Sequence, residues 1–151
     1  MCVIVDTNLA SKVFSGPPNK DFVPLLKWLT AQNGCLVYGG TLAAELEEVA
    51  AVRRLLRVLL QAGRALLIPE NEVTDEQVVV DNLSLCQSND SHIIALARVS
   101  GARTLCSHDA ALHTDFKNPK LIAKPRGSVY QNAAHVKLLR HTTSCPRHKK
   151  K

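Results

Sequence analysis

The chain has 151 residues, of which 46% are hydrophobic and 21% are charged, and its formal net charge is +6. This length suits one domain, and the composition excludes a disordered or collagen-like chain. No apolar run approaches the roughly 18 residues of a membrane span, and the N-terminus lacks a signal-peptide pattern. The five cysteines form no C-x-x-C pair, which agrees with a reducing compartment. We therefore expect a cytoplasmic protein with no membrane contact.

Short apolar runs alternate with helical segments along the chain. Strands are predicted at Val3–Val5, Cys35–Tyr38, Ala65–Ile68, Thr104–Cys106 and, as a candidate fifth, Leu121–Ala123. Helices are predicted at Val23–Gln32, Leu42–Ala51 with Thr41 as N-cap, Arg53–Ala62, Asp75–Leu85, Ser91–Val99, Ala110–Asp115 and, last, Gln131–Leu139. Uninterrupted apolar strands that alternate with helices are typical of a parallel sheet covered on both faces. The predicted fold is α/β, three-layer α/β/α, with a central parallel sheet of four to five strands.

The charges are segregated along the chain. All thirteen Asp and Glu residues precede Phe116, whereas residues 117–151 contain ten Lys or Arg and no acid. We therefore divide the chain into a domain of residues 1–125 and a basic C-terminal extension of residues 126–151, with an extended segment, a short helix and a Lys-rich tail. Such a run of positive charges favours a polyanionic partner, because Lys and Arg that bind phosphates release the counterions condensed on them. A tail that only aids solubility is the alternative.

Four acids occupy positions that a parallel sheet would bring to one edge. Asp6 follows the first strand, Glu45 lies early in the helix after the second, and Asp109 lies just past the fourth. Asp90 reaches the same edge if the helix before the fourth strand begins there. Ligands bind beyond the carboxyl ends of such strands, and Mg²⁺ or Mn²⁺ would relieve the repulsion among carboxylates gathered there. The alternatives are helix capping by the aspartates and a solvated acidic face for Glu45.

Four segments resemble, in order and spacing, the acidic motifs of PIN-domain nucleases: Val3–Asn8, Thr41–Leu46, Asn89–Ala97 and Thr104–Asp109. The resemblance covers residues 1–125. It implies a compact α/β domain that hydrolyses RNA with Mg²⁺ or Mn²⁺. The residues that match the motif acids are Asp6, Glu45, Asp90 and Asp109. Because many PIN proteins are toxins of bacterial toxin–antitoxin pairs, the resemblance also implies a toxin-like endoribonuclease with a cognate antitoxin.

The resemblance to PIN domains and the positive charge of the C-terminal extension indicate further site residues. Ser107 matches the hydroxyl residue that PIN domains usually carry two positions before the last acid. Asp115 is placed with the metal ligands, although toxin-like members carry this additional acid three residues after the last motif acid, not six. Residues assigned to substrate binding are Asn8, Ser107, Lys124 and Arg126, and the basic extension is expected to place its phosphate contacts near the acidic crevice. Three histidines near the site, His92, His108 and His113, are expected to be bystanders.

Other functions remain open at this stage. The main alternative is a catalytically weak PIN-fold protein that binds nucleic acid or acts as a scaffold. A phosphoacceptor domain of the response-regulator type would need an Asp after the third strand, where Ile68 and Pro69 stand. A DNA flap nuclease would need larger helical insertions than 151 residues allow. We also expect a homodimer, with the leucine-rich segment Leu55–Leu60 as a candidate contact face.

Overall fold

The computed structural model describes residues 2–14 and 19–139. Its helices are α1 (Thr7–Phe14), α2 (Val23–Ala31), α3 (Gly40–Glu47), α4 (Ala50–Gln61), α5 (Glu70–Leu83), α6 (Ser91–Ser100) and α7 (Ala110–Lys117), followed by a 3₁₀ helix, Ala133–Leu139. Its strands are β1 (Cys2–Val5), β2 (Cys35–Gly39), β3 (Ala65–Ile68), β4 (Thr104–Cys106) and β5 (Ser128–Tyr130). None of the helices in these two ranges has the length and apolar character needed to cross a membrane.

The five strands form one parallel sheet in the order β3-β2-β1-β4-β5. Strand β1 lies at its centre, where Val3 pairs with Leu36 of β2 and with Thr104 of β4. All four residues of β1 are buried, because helices cover both faces of the sheet and exclude water from an uninterrupted apolar strand. The sheet and its flanking helices confirm the predicted three-layer α/β/α fold with a parallel sheet.

The strand order reverses at the centre of the sheet. From β1 the chain moves outward on one side through β2 and β3, and it then crosses to the other side of β1 to form β4 and β5. Connections from neighbouring strands diverge at such a reversal, and this opens a crevice beyond their carboxyl ends. The residues that follow β1 and β4 therefore border the crevice of this sheet.

The fifth strand differs from the sequence prediction. Leu121–Ala123 was expected as a strand, but the amides of Leu121 and Ile122 both donate to the carbonyl of Asn118 in a turn. The fifth strand is Ser128–Tyr130, which pairs with β4. Leu121 and Ile122 are buried, so their apolar character reflects packing against the core rather than an extended backbone.

Several helices differ from the predicted bounds. Helices α3, α4 and α5 begin before the predicted Leu42, Arg53 and Asp75. Helix α1 was not predicted, and it buries Leu9 and Val13 against the core. Thr41 lies inside α3 and does not cap it, because that helix begins at Gly40. Gly40 has a φ of 57°, a left-handed conformation that glycine adopts without steric cost. This turn lets α3 follow β2 with no intervening loop.

Candidate metal centre

Asp6 is fixed at the carboxyl end of β1 by its backbone. Its amide donates to the carbonyl of Cys106 over 2.9 Å, while its own carbonyl accepts the amides of Leu9 and Ala10 at the start of α1. Its side chain is only 7% exposed, and its Oδ2 accepts a hydrogen bond of 2.8 Å from the Ser107 hydroxyl. The Asp6 carboxylate is therefore held in place, with Oδ1 outside this hydrogen bond.

Ser107 connects the two loops that border the crevice. Its side chain is completely buried, and its Oγ, which donates to Asp6, also accepts the Asp109 amide over 3.1 Å. Asp109 in turn caps α7, since its Oδ1 accepts the amides of Ala111 and Leu112 at 2.9 and 3.2 Å. Asp109 therefore caps α7, as the alternative interpretation expected. It also lies beside the Asp6 loop, and its Oδ2 takes no part in the cap.

Asp90 lies at the N-cap position of α6, but its side chain makes no capping hydrogen bond. Burial raises the pKa of its carboxyl group, and the negative charge of Asp6 raises it further. Asp109 and Glu45 also raise this pKa, while His92 lowers it. Interaction between charges weakens with distance, so Asp6, Asp109 and Glu45 lie within electrostatic range of Asp90. Helix α6 begins directly after Asp90.

Glu45 and His92 form the side of the site nearest α3. The carboxylate of Glu45 is 42% exposed, and its Oε1 lies 3.5 Å from Nε2 of His92, an ion pair when the imidazole is protonated. That Nε2 is buried and forms no hydrogen bond within the described ranges, and the same holds for the hydroxyl of Thr7 next to Asp6. Buried polar atoms without partners are uncommon in proteins, and that of His92 lies beside a carboxylate of the site.

Asp115, which was predicted as a metal ligand, is held by backbone hydrogen bonds. It is 1% exposed, and its Oδ1 and Oδ2 accept the backbone amides of Gln87 and Ser88 at 2.8 and 2.9 Å. The hydroxyl of Ser88 accepts the amide of Asp90 over 3.3 Å. Asp115 is not among the charges that shift the pKa of Asp90. Its observed contacts position the loop that leads to Asp90.

The remaining residues near the crevice include one connection that the sequence did not reveal. Nε2 of His113 donates to the backbone carbonyl of Ser107, and its Nδ1 accepts the side-chain amide of Gln131 over 3.0 Å. These partners assign the proton to Nε2. His108 is exposed, with its ring 6.1 Å from that of Phe22. His113 therefore supports the Ser107 backbone, a role that no motif indicates.

The predicted substrate residues lie in two separate places. Asn8 is exposed in the first turn of α1, directly after the crevice residue Asp6. Lys124 and Arg126 are also exposed, but they precede β5, whose first residue, Ser128, pairs with the first residue of β4. Because β5 runs parallel to β4, the residues before it lie toward the amino ends of the strands. The acidic crevice lies beyond the carboxyl ends, so the expectation that Lys124 and Arg126 stand near it is wrong.

The donor set is that of a hard divalent cation, since carboxylate oxygens are the ligands that Mg²⁺ and Mn²⁺ prefer. Within residues 2–14 and 19–139, no three Asp, Glu, His or Cys side chains stand in an arrangement that could itself hold a metal ion. Comparisons with protein-family models, curated proteins and solved structures found no match to this chain. The functional argument consequently rests on these residues and their geometry.

Proposed function

We propose that the protein is a metal-dependent endoribonuclease of the PIN type, resembling the toxins of toxin–antitoxin pairs, which hydrolyses RNA with Mg²⁺ or Mn²⁺. The ion would be held by Asp6, Glu45, Asp90 and Asp109. The observation that carries the proposal is the hydrogen-bonded link from Asp6 through Ser107 to the Asp109 amide at the strand-order reversal. Beside it, burial and then the charges of Asp6, Asp109 and Glu45 raise the pKa of Asp90. A buried carboxyl group with a raised pKa among other carboxylates in a crevice is typical of a functional site.

A cation is needed to make this crevice useful for RNA chemistry. A phosphodiester is itself negatively charged, so four carboxylates alone would repel it. Asp6 and Asp109 are held in place by hydrogen bonds, whereas Glu45 and Asp90 make no side-chain hydrogen bond in the described part of the chain. We infer that Glu45 and Asp90 rotate to complete the ligand set around a framework that Asp6 and Asp109 provide.

The chemistry divides between the ion and the protein. A bound Mg²⁺ or Mn²⁺ activates water and stabilises the charge that develops on the phosphodiester. Ser107 holds one oxygen of Asp6 and thereby fixes the direction of the other. His92 lies close enough to Glu45 to orient it.

Cleavage of an end-labelled RNA in Mn²⁺ tests the proposal. We expect cleavage by the full chain, its loss in EDTA, and a decrease of about 100-fold or more in Asp6→Asn, the scale of losing one group that stabilises transition-state charge. Asp75→Asn is the matched control, because Asp75 is exposed on α5 and forms none of the contacts of the site. Cleavage that survives EDTA or Asp6→Asn would contradict the proposal. RNA binding with no cleavage by the unmodified chain would favour the scaffold alternative instead.

The partner and localisation predictions remain predictions. They are a cognate antitoxin, a homodimer and a cytoplasmic location. In the segment proposed as a dimer face, Leu56 and Leu59 are buried in the core, and the neighbouring Val58 and Leu60 are exposed. A dimer through α4 would therefore have to use Val58 and Leu60.

A further inference from the structure

A second concave surface lies beside the edge strand β5, away from the carboxylates. It is a cavity of about 470 Å³ that we call the basic cavity, lined by Lys117, Arg126, Lys137, His135, Val129 and Leu138, among others. Its three cations come from three different segments: the last turn of α7, the chain before β5, and the 3₁₀ helix. Residues far apart in sequence are thus brought to one surface by the fold.

The cations of this cavity have no ion-pair partner among the described residues. No ion pair joins Lys117, Arg126 or Lys137 to a carboxylate within residues 2–14 and 19–139. A lysine in the last turn of α7 is explained by the helix dipole, but this does not account for the two cations from other segments. Like charges gathered on one concave surface raise the local potential and attract an anion.

Close packing builds the cavity wall. A Cβ on Gly127 would lie 2.1 Å from the carbonyl oxygen of Phe116, so only glycine allows this segment to lie against the end of α7. That contact brings Arg126 into the same cavity as Lys117. On the other side, the Gln131 amide donates to Nδ1 of His135 over 3.0 Å, which leaves the ring proton on Nε2. His135 thus lines the cavity beside its three cations.

We infer that the basic cavity binds phosphate groups of a single RNA strand at a position separate from the carboxylates. The Arg126 guanidinium is suited to two-pronged contact with phosphate, and the lysines supply point charges. Val129 and Leu138 give the cavity an apolar part beside these charges. The choice of RNA as the polyanion rests on the proposed function, whereas the anion site itself rests on the cavity.

The position of the cavity bears on the length of the substrate. Arg126 precedes β5, and the three residues of that strand cover about 10 Å, while the acids lie beyond the opposite ends of β1 and β4. An RNA strand that contacts both the basic cavity and the acidic crevice must therefore be several nucleotides long.

Fluorescence-anisotropy titration of a labelled 20-nucleotide RNA tests the inference. The full chain is used in EDTA, which prevents metal-dependent cleavage, at several salt concentrations. The test variant combines Lys117→Gln, Arg126→Gln and Lys137→Gln. Each phosphate contact on a single strand contributes about 0.7 to the slope of log affinity against log salt, so we expect the slope to decrease by about 2. At 0.1 M salt we expect the affinity to fall at least about tenfold.

The matched control combines Lys12→Gln, Lys27→Gln and Arg54→Gln, which removes the same residue types and the same charge from exposed positions elsewhere. Its affinity should stay close to that of the unmodified chain, and thermal unfolding should show that both variants fold. Equal RNA binding by the test variant and the unmodified chain would overturn the inference. So would binding of an acidic peptide that depends on the three cations while RNA binding does not.

Failure of this inference is distinguishable from failure of the proposed function. If the unmodified chain cleaves RNA in Mn²⁺ but the three substitutions leave binding unchanged, the cavity has no role in RNA binding and the nuclease proposal stands. If the substitutions abolish binding while no cleavage is detected, the cavity is a polyanion site and the nuclease proposal fails.

Discussion

Replacement of Asp115 by Asn distinguishes a positioning role from the predicted role as a metal ligand. Both oxygens of this buried carboxylate accept backbone amides, from Gln87 and Ser88. Asn keeps one acceptor oxygen but turns an NH₂ group toward the second amide, so one of the two hydrogen bonds is lost. A hydrogen bond to a charged group contributes about 1.5–3 kcal/mol, and we expect the free energy of unfolding to fall by that amount.

The assay is thermal or urea unfolding in EDTA, where a bound metal does not contribute. For a chain of this size, 1 kcal/mol corresponds to roughly 2–4 °C, so Asp115→Asn should lower the Tm by roughly 3–12 °C. Asp75→Asn, an exposed substitution of the same type, should change the free energy by less than about 0.5 kcal/mol. If Asp115 acts only as a ligand, removing its charge leaves the stability unchanged or increased in EDTA. That result would refute the positioning role.

Two further predictions concern the crevice itself. Ser107→Ala removes the hydroxyl that joins Asp6 to the Asp109 amide. It should lower the free energy of unfolding, measured by urea titration, by about 1–3 kcal/mol. An unchanged urea midpoint would contradict these two hydrogen bonds. Asp90→Asn should stabilise the protein at pH 7 in EDTA, because burial and the charge of Asp6 raise the pKa of Asp90 and so penalise its ionised form. Ionised Asp90 destabilises the folded state fully above its folded-state pKa and not at all below the ordinary Asp value of about 3.9. The extra free energy of unfolding of Asp90→Asn should therefore disappear when unfolding is measured at pH 3. A variant that is less stable than the unmodified chain at pH 7 would contradict this prediction.

The fold could be predicted from the sequence because its central strands are short, continuous apolar runs. The predicted bounds of β3 and β4 agree with the structure. The fifth strand could not be identified in this way, because the apolar residues Leu121 and Ile122 pack against the core from a turn. Ser128–Tyr130 is only three residues long and begins with a polar side chain, so its place in the sheet depends on pairing with β4.

The candidate site was predictable to the extent that it depends on strand ends. Asp6 and Asp109 follow apolar runs, so their common edge follows from a parallel sheet. The contacts of Asp115 leave no such pattern, since its partners are backbone amides. The location of Arg126 likewise requires the direction of β5, which the sequence did not identify. Charge segregation did indicate a basic surface, but only the structure separates that surface from the crevice.

The central claim is that carboxylates from four separate segments bind one divalent cation site. Anomalous diffraction from a crystal soaked in Mn²⁺ tests it most directly, because the metal's position is observed independently of any activity. We expect an anomalous peak bordered by carboxylate oxygens of Asp6, Asp90 and Asp109, with Glu45 turned toward it. A crystal that shows Mn²⁺ only at other positions, or none in the crevice at saturating concentration, would contradict the account.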